Sequence, residues 1–379
     1  MARFTTPRDI YYGRGALSRL RKLEGKRALI VGEAMSWDSG FLKRAEGYLK
    51  GAGLAIRSFV CKPGSEVLAQ ARTGARSMQE FKPDWIVAIG SEESISMAKL
   101  MWIFYENPAI TQDTLLGKGA LPKLRGLARL VAAPAGGGGE GALSGAAFLP
   151  DPAKGRRHLL LNPILTPDIA IVDPDMAAVC PGQVLARGGM AALSQMIEAL
   201  GRGLGPLLQP YALSAARNLI MNMGAAISGD VHAREMFYEA QCMAAISFAN
   251  ATSGLCQALC VNTSVAFYRP MPVGIAEAIY IPLSLRWEPG GNGAAAQVCE
   301  AAHISGDPLP ALCNRLEVLR SQADMPANLR AFGVEEAEFL SKLPTISEEV
   351  SHDAFFFKAS QRPSHKEVEG LLRQAYYGG

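Results

Sequence analysis

The chain has 379 residues, enough for two domains of ordinary size, each with its own hydrophobic core. Its 49% hydrophobic and 19% charged residues exclude a disordered protein, and its net charge of +3 indicates neither nucleic acid nor a membrane surface as a partner. No apolar run reaches the roughly 18 residues of a membrane span, and residues 1–7 lack a signal-peptide core. The seven cysteines are scattered, odd in number and without a C-x-x-C, so we expect a cytoplasmic protein with free thiols.

The first half of the chain alternates short apolar runs with helical periodicity. This pattern is typical of a parallel sheet covered by helices. The predicted strands are 27–32, 54–61, 84–90, 128–133 and 168–172, and the predicted helices among them are 41–52, 67–81 and 94–105. We therefore expect a doubly wound sheet with a ligand crevice at the carboxyl ends of its strands.

After about residue 180 the strand signals disappear and helical periodicity continues to the end of the chain. The main predicted helices are 183–201, 210–228, 234–251, 254–266, 274–285, 293–302 and 307–321, followed by two or three short ones. The predicted fold class is thus an α/β N-terminal Rossmann-like domain, 1–180, plus an all-α C-terminal domain, 181–379.

Several collinear segments resemble the iron-dependent (group III) alcohol dehydrogenase family over essentially the whole chain. The family's signature helix runs Gly-Met-Asp-Ala-Leu-Thr-His-Ala-Ile-Glu, and residues 189–198 read Gly-Met-Ala-Ala-Leu-Ser-Gln-Met-Ile-Glu. The other matching segments are 4–7 with 12–17, 81–90, 98–99 with 102 and 105–108, 166–174 and 274–279. The resemblance implies the dehydroquinate synthase-like fold of that family, with a dinucleotide and a divalent metal bound between the two domains.

The resemblance also implies that one Asp and three His bind the metal, and this chain lacks all four. The corresponding positions are Ala191, Gln195, Gln257 and, for the fourth ligand, Val273 or Met271. A further family His becomes Val261. Carboxamide oxygens bind hard cations mainly beside carboxylates that supply the charge, so we expect no metal. Cys256 and Cys260 share a helical face; we interpret them as small buried residues rather than as a soft-metal thiolate pair.

The phosphate-binding elements that the resemblance implies are also altered. The family's Gly-Gly-Gly-Ser turn after the third strand reads Gly90-Ser91-Glu92-Glu93 here, and the two carboxylates repel a pyrophosphate unless they serve to stabilise the helix N-terminus. The second loop, 134–142, is glycine-rich without hydroxyl groups; it either binds an anion through its amides or is mobile. The candidate cofactor-binding residues are Glu33, Gly90, Ser91, Gly138, Gly139 and Arg157. Glu33 would accept ribose hydroxyls and Arg157 would approach the phosphates. Each residue is interpreted equally well as a solvated surface charge.

Three functional hypotheses follow. The first is a non-catalytic pseudoenzyme with a structural or regulatory role. The second is an NAD(P)-dependent alcohol or aldehyde oxidoreductase that works without metal, for which Gln195, Gln257 and Arg187 are the candidates to polarise a carbonyl. The third is a binder of a neutral small molecule in the altered site. We expect no cofactor, with NAD as the alternative, and a homo-oligomer or an active paralogue as the partner, without nucleic acid or membrane.

Overall fold

The computed structural model describes residues 3–62, 66–118, 120–136, 139–151, 154–251, 253–353, 355–357 and 361–378. The chain forms two compact units. The first comprises Met1–Pro150 and His158–Pro181, and the second comprises Asp151–Arg157 and Gly182–Gly379.

The strands among the described residues are β1 Asp9–Tyr12, β2 Arg27–Glu33, β3 Ala55–Cys61, β4 Trp85–Gly90, β5 Arg129–Pro134, β6 Ala146–Asp151, β7 Arg156–Leu161 and β8 Ile169–Val172. A parallel six-stranded sheet organises the first unit, with the order β1-β8-β5-β4-β2-β3. A separate two-stranded sheet pairs β6 with β7. The five predicted strands of the sheet are confirmed, and the Rossmann-like architecture with them.

Both faces of this sheet are covered by helices. Successive residues of a strand point to opposite faces, so the side chains of a central strand alternate between two covered faces. On β2, Leu29 and Val31 pack into one hydrophobic cluster, whereas Ala28 and Ile30 pack into another. This is why the central strands read as continuous apolar runs in the sequence.

Strand β1 is an addition to the predicted sheet. It is short and lies at the edge, where Tyr12 is 78% exposed, so it has no apolar run that could indicate a strand. Its position is fixed by pairing with β8 and by Asp173, whose carboxylate accepts hydrogen bonds from the amides of Gly15 (3.1 Å) and Leu17 (3.0 Å).

The helices of the first unit cover the sheet and connect its strands. They are α1 Ala34–Asp38, α2 Phe41–Gly51, α3 Val67–Phe81, α4 Glu92–Glu106, α5 Gly139–Leu143 and α6 Asp175–Ala178. Two 3₁₀ helices, at Ala16–Lys22 and Pro163–Leu165, and a π-helical turn at Thr114–Lys118 lie between them. Helix α4 begins two residues before its predicted start, with Ser91 at the N-cap and two glutamates in the first turn. Carboxylates favour that end of a helix because of its partial positive charge.

The second unit is helical after residue 181, as predicted. Its helices are α7 Gly182–Gly201, α8 Gln209–Ile227, α9 Val231–Phe248, α10 Leu255–Thr263, α11 Val273–Trp287, α12 Gly291–Ala301, α13 Pro308–Gln322, α14 Leu329–Phe332, α15 Glu336–His352 and α16 His365–Tyr377. Helix α9 begins three residues before its predicted start, because the Asp230 side chain accepts the amide of Ala233 at 2.7 Å and caps the helix. Within the described part of the chain, none of the helices has the length and apolar character that crossing a membrane requires.

Candidate active site

The turn after β4 is closed by a carboxylate of the neighbouring strand. Glu33 is the last residue of β2, and its Oε1 accepts the backbone amide of Ser91 at 3.1 Å while its Oε2 accepts the Ser91 hydroxyl at 2.8 Å. Gly90 precedes Ser91 with a φ of 142°, and a Cβ there would lie 2.9 Å from the hydroxyl oxygens of Ser36 and Ser94. The structure therefore brings Glu33, Gly90 and Ser91 together, but it bonds Glu33 to Ser91.

A second carboxylate is bonded to the segment that follows the glycine run. Glu92 Oε2 accepts the amide of Gly141 at 2.7 Å, and its Oε1 accepts the hydroxyl of Ser96 at 3.0 Å. The Ser96 oxygen in turn accepts the amide of Phe148 at 2.9 Å. Burial raises the pKa of Glu92, Glu140 adds to the rise, and Lys99 opposes it. Glu92 thus occupies the first turn of α4, as predicted, and also holds α5 and β6 in place.

Lys99 completes this network from the same helix. Its ammonium group is fully buried and donates to the carbonyl oxygens of Gly141 (2.7 Å), Ser144 (2.9 Å) and Ala146 (2.5 Å). Burial lowers the pKa of Lys99 and Glu92 raises it. Three acceptors match the three donors of an ammonium group, so the contacts favour the charged form.

The remaining predicted cofactor-binding residues have separate locations. Gly139 is buried and begins α5, whereas Gly138 lies outside the described residues. Arg157 is buried on β7 in the part of that strand that belongs to the second unit.

As arranged, the first unit does not fit a pyrophosphate. The amides of Ser91 and Gly141 are backbone donors of the kind that bind phosphate, and each donates to a carboxylate of this chain. A bound phosphate would lie next to the Glu33 carboxylate, where like charges repel, and it would compete with the Glu92 side chain for the Gly141 amide.

The positions that the resemblance assigns to metal ligands lie in the second unit, on α7, α10 and α11. Ala191 and Gln195 are buried on α7, and Gln195 Nε2 donates to Glu277 Oε1 of α11 at 3.5 Å. Gln257 of α10 is 1% exposed, and neither polar atom of its carboxamide has a hydrogen-bond partner among the described residues. Val273 begins α11, while Met271 and Val261 are buried apolar residues.

These donors do not fit a divalent cation such as Fe²⁺ or Zn²⁺. Two of the four positions are apolar and two are carboxamides, and no group of three His, Cys, Asp or Glu residues converges for metal binding in the described regions. Glu277 is a site residue that we did not single out from the sequence. Its signal was a single charge in the otherwise apolar run 274–281.

The signature residues that this chain shares with the family serve packing and capping. The Glu198 carboxylate accepts the amides of Cys256 (2.5 Å) and Gln257 (3.4 Å) at the start of α10 and the hydroxyl of Ser284 (3.3 Å). Burial raises the pKa of Glu198 to about 7, although its backbone hydrogen bonds lower it. A Cβ at Gly189 would lie 2.0 Å from the ring of Phe237, so the close packing there requires glycine.

The cysteine pair on α10 is buried in the helical unit. The Sγ of Cys256 lies 3.7 Å from the Glu277 carbonyl oxygen, and that of Cys260 lies 3.9 Å from the Val273 carbonyl oxygen. Burial raises the pKa of Cys256 well above its usual value, and Glu198 and Glu277 add to the rise. The thiolate form that binds metals is therefore disfavoured at Cys256.

Comparison with known families gives matches to both parts of the chain. Residues 7–174 match the iron-containing alcohol dehydrogenase family, and residues 185–376 match the C-terminal region of the same family.

Individual relatives match along the full length. An NADPH-dependent butanol dehydrogenase from Clostridium saccharobutylicum is 32% identical, over 100% of this chain and 99% of the relative. An alcohol dehydrogenase from Thermococcus barophilus is 28% identical over 99% of each chain. The solved structure of an iron-containing alcohol dehydrogenase from Thermococcus thioreducens is similar with a TM-score of 0.89 and 26% identity, over 100% of both chains.

Proposed function

We propose that this chain, which belongs to the iron-containing alcohol dehydrogenase family, is a non-catalytic member with a structural or regulatory role. The observation that carries this proposal is that the positions which the resemblance assigns to the four metal ligands are Ala191, Gln195, Gln257 and Val273 or Met271, none of which carries an imidazole or a carboxylate. In metal-dependent dehydrogenation the cation polarises the carbonyl of the substrate as a Lewis acid. A neutral carboxamide does not replace that charge.

The first unit supports the same proposal independently. The contacts of Glu33 with Ser91 and of Glu92 with Gly141 occupy the amides that would bind the phosphates of a dinucleotide with carboxyl groups of this chain. An enzyme that transfers hydride to NAD(P) needs that cofactor bound and oriented. Binding of the metal and binding of the dinucleotide, both of which the reaction needs, are therefore disfavoured in this chain.

The test combines metal analysis with activity measurements on the purified full-length protein. We expect no stoichiometric iron or zinc after incubation with Fe²⁺ or Zn²⁺, and no oxidation of NADPH or NADH in the presence of butanal. The control is the quadruple variant A191D/Q195H/Q257H/V273H, which restores the ligand types of the family and should bind Zn²⁺. Tight binding of metal by the unchanged protein, or metal-dependent turnover, would contradict the proposal.

A second candidate is an NAD(P)-dependent alcohol or aldehyde oxidoreductase that works without metal. It is favoured by the 32% identity to an NADPH-dependent butanol dehydrogenase along the whole chain. A clear rise in the melting temperature with NADP⁺ or NAD⁺, together with turnover that survives chelators, would favour this candidate. For the non-catalytic role, the partner that we propose to test is a second copy of this chain or an active paralogue.

A further inference from the structure

A cavity of about 530 Å³ lies in the first unit, at the amino-terminal ends of strands β1 and β8. Its lining includes Arg3, Arg8, Arg125, Asn162, Thr166 and Asp168. Parallel strands all run in one direction, so the cavity lies at the end of the sheet opposite the carboxyl ends of β2 and β4, which carry Glu33 and Gly90. The volume is within the usual range for small-molecule sites, and the cavity is separate from the turn discussed above.

Arg125 provides a fixed cation in the wall of this cavity. Its guanidinium group donates to Asp168 (2.9 Å), to the carbonyl oxygen of Ile164 (2.8 Å) and to that of Thr166 (2.5 Å). It also lies 4.9 Å from the centre of the Trp102 ring. Asp168 is the only acid lining the described part of the cavity, and its charge is compensated by Arg125.

Two further guanidinium groups, those of Arg3 and Arg8, remain exposed at the cavity. Arg8 is bonded to Asp9 through Nε (3.0 Å) and Nη2 (2.9 Å), and its Nη1 forms no ion pair among the described residues. Arg3 forms no ion pair with any residue that the structure describes. The cavity therefore carries more positive than negative charge, even when Asp9 is counted with Arg8.

A buried hydroxyl group gives the second, independent observation. Thr166 is 4% exposed, and its Oγ1 has no hydrogen-bond partner among the described residues. A buried hydroxyl without a partner is unfavourable, and a hydroxyl can donate to an anionic oxygen. The same residue belongs to the segment 166–174, which the function proposed above does not use.

We propose that this cavity binds a small oxyanion that carries phosphate or carboxylate groups. The Arg3 and Arg8 guanidinium groups form charge-assisted hydrogen bonds with the anion, and a χ1 rotation of Thr166 that brings Oγ1 to the cavity lets this hydroxyl donate a third. The site is independent of the altered metal and dinucleotide positions, so it can be present whether or not the chain is catalytic.

The test is calorimetric titration of the full-length protein at low ionic strength with pyrophosphate, inorganic phosphate and citrate as separate probes. For the probe that binds most tightly, the Arg3→Gln/Arg8→Gln variant should raise the dissociation constant by at least about tenfold, because each charge-assisted bond lost costs that order. The matched control, Arg44→Gln/Arg57→Gln, removes the same charge from exposed arginines of the same unit outside the cavity and should leave the dissociation constant unchanged.

Thr166→Val supplies a second measurement that does not depend on the arginines. Without an anion this nearly isosteric variant should unfold at the same temperature as the wild type or higher, since it removes a hydroxyl that has no partner, and the anion-induced rise in melting temperature should shrink. Preference for phosphates over citrate, or the reverse, identifies the group recognised and supports the site in either case. Lack of saturable binding for all three probes, or equal weakening in the control, would overturn the proposal.

Discussion

Glu33 and Ser91 lie 58 positions apart in the chain, and the carboxylate of the first accepts both the amide and the hydroxyl of the second. The two residues end and follow neighbouring parallel strands, so the register of β2 against β4 brings them to the same edge. This pair places a negative charge of the protein on an amide that would otherwise be open to a phosphate. The fold of the first unit therefore determines whether the Ser91 amide is available to a dinucleotide.

The Glu33–Ser91 contact should be measurable as a coupling energy. Glu33→Ala should lower the free energy of unfolding by about 1–3 kcal/mol, because two hydrogen bonds to a charged group are lost. In a double-mutant cycle with Ser91→Ala, chemical denaturation should give a coupling of about 1 kcal/mol or more. Additive effects would show that the hydroxyl contact contributes nothing.

Two variants on helix α10 should change stability in opposite directions. Gln257→Met should raise the free energy of unfolding by about 1–3 kcal/mol, because it replaces a buried carboxamide that has no partner by an apolar side chain of similar size. Thr263→Val is the matched control on the same helix. It should lower the free energy of unfolding by a similar amount, because Thr263 bonds the Leu259 carbonyl oxygen and accepts the Tyr280 hydroxyl. Equal signs for the two variants, measured by urea denaturation, would contradict this interpretation.

Glu198 predicts a pH dependence of stability. Its pKa is raised from 4.5 to about 7, so between these values the folded protein keeps a proton that the unfolded chain releases. The free energy of unfolding attributable to Glu198 therefore falls as pH rises through that window and stays low above it. Glu198→Gln should raise the free energy of unfolding at pH 8 by roughly 1–3 kcal/mol and change it little at pH 4.

The control for Glu198 is Glu300→Gln, which removes a carboxylate at an exposed position of α12. Its effect on thermal unfolding should be small at both pH values. A uniform effect of Glu198→Gln across the pH range would indicate that the raised pKa does not contribute to stability.

Lys99 should be a strong determinant of local stability. Lys99→Met leaves the carbonyl oxygens of Gly141, Ser144 and Ala146 without their donor, so the free energy of unfolding should fall by about 3 kcal/mol or more. Hydrogen exchange of segment 139–148 should accelerate more than that of the central strands. Lys43→Met, at an exposed position of α2, should alter neither measurement.

The local pattern of apolar residues determined much of the secondary structure of this protein. Apolar runs predict the five strands that the sheet contains apart from β1, and helical periodicity predicts helices α7 to α13 of the second unit, because burial of one face leaves a period in the sequence. Helix α15, Glu336–His352, is longer than the short helices expected in that region. That Ala191, Gln195, Gln257 and Val273 carry neither imidazole nor carboxylate is likewise evident from residue identity alone. Identity at a motif position fixes which donor atoms are available.

Only the tertiary structure decided what the remaining charges do. Glu33 and Glu92 could serve a cofactor, a helix terminus or solvent, and the fold assigns their oxygens to Ser91 and Gly141. The pairing of Gln195 with Glu277 and the capping of α10 by Glu198 also join residues from different helices. A hydrogen bond depends on distance and direction between groups far apart in the chain, and no local period records those quantities.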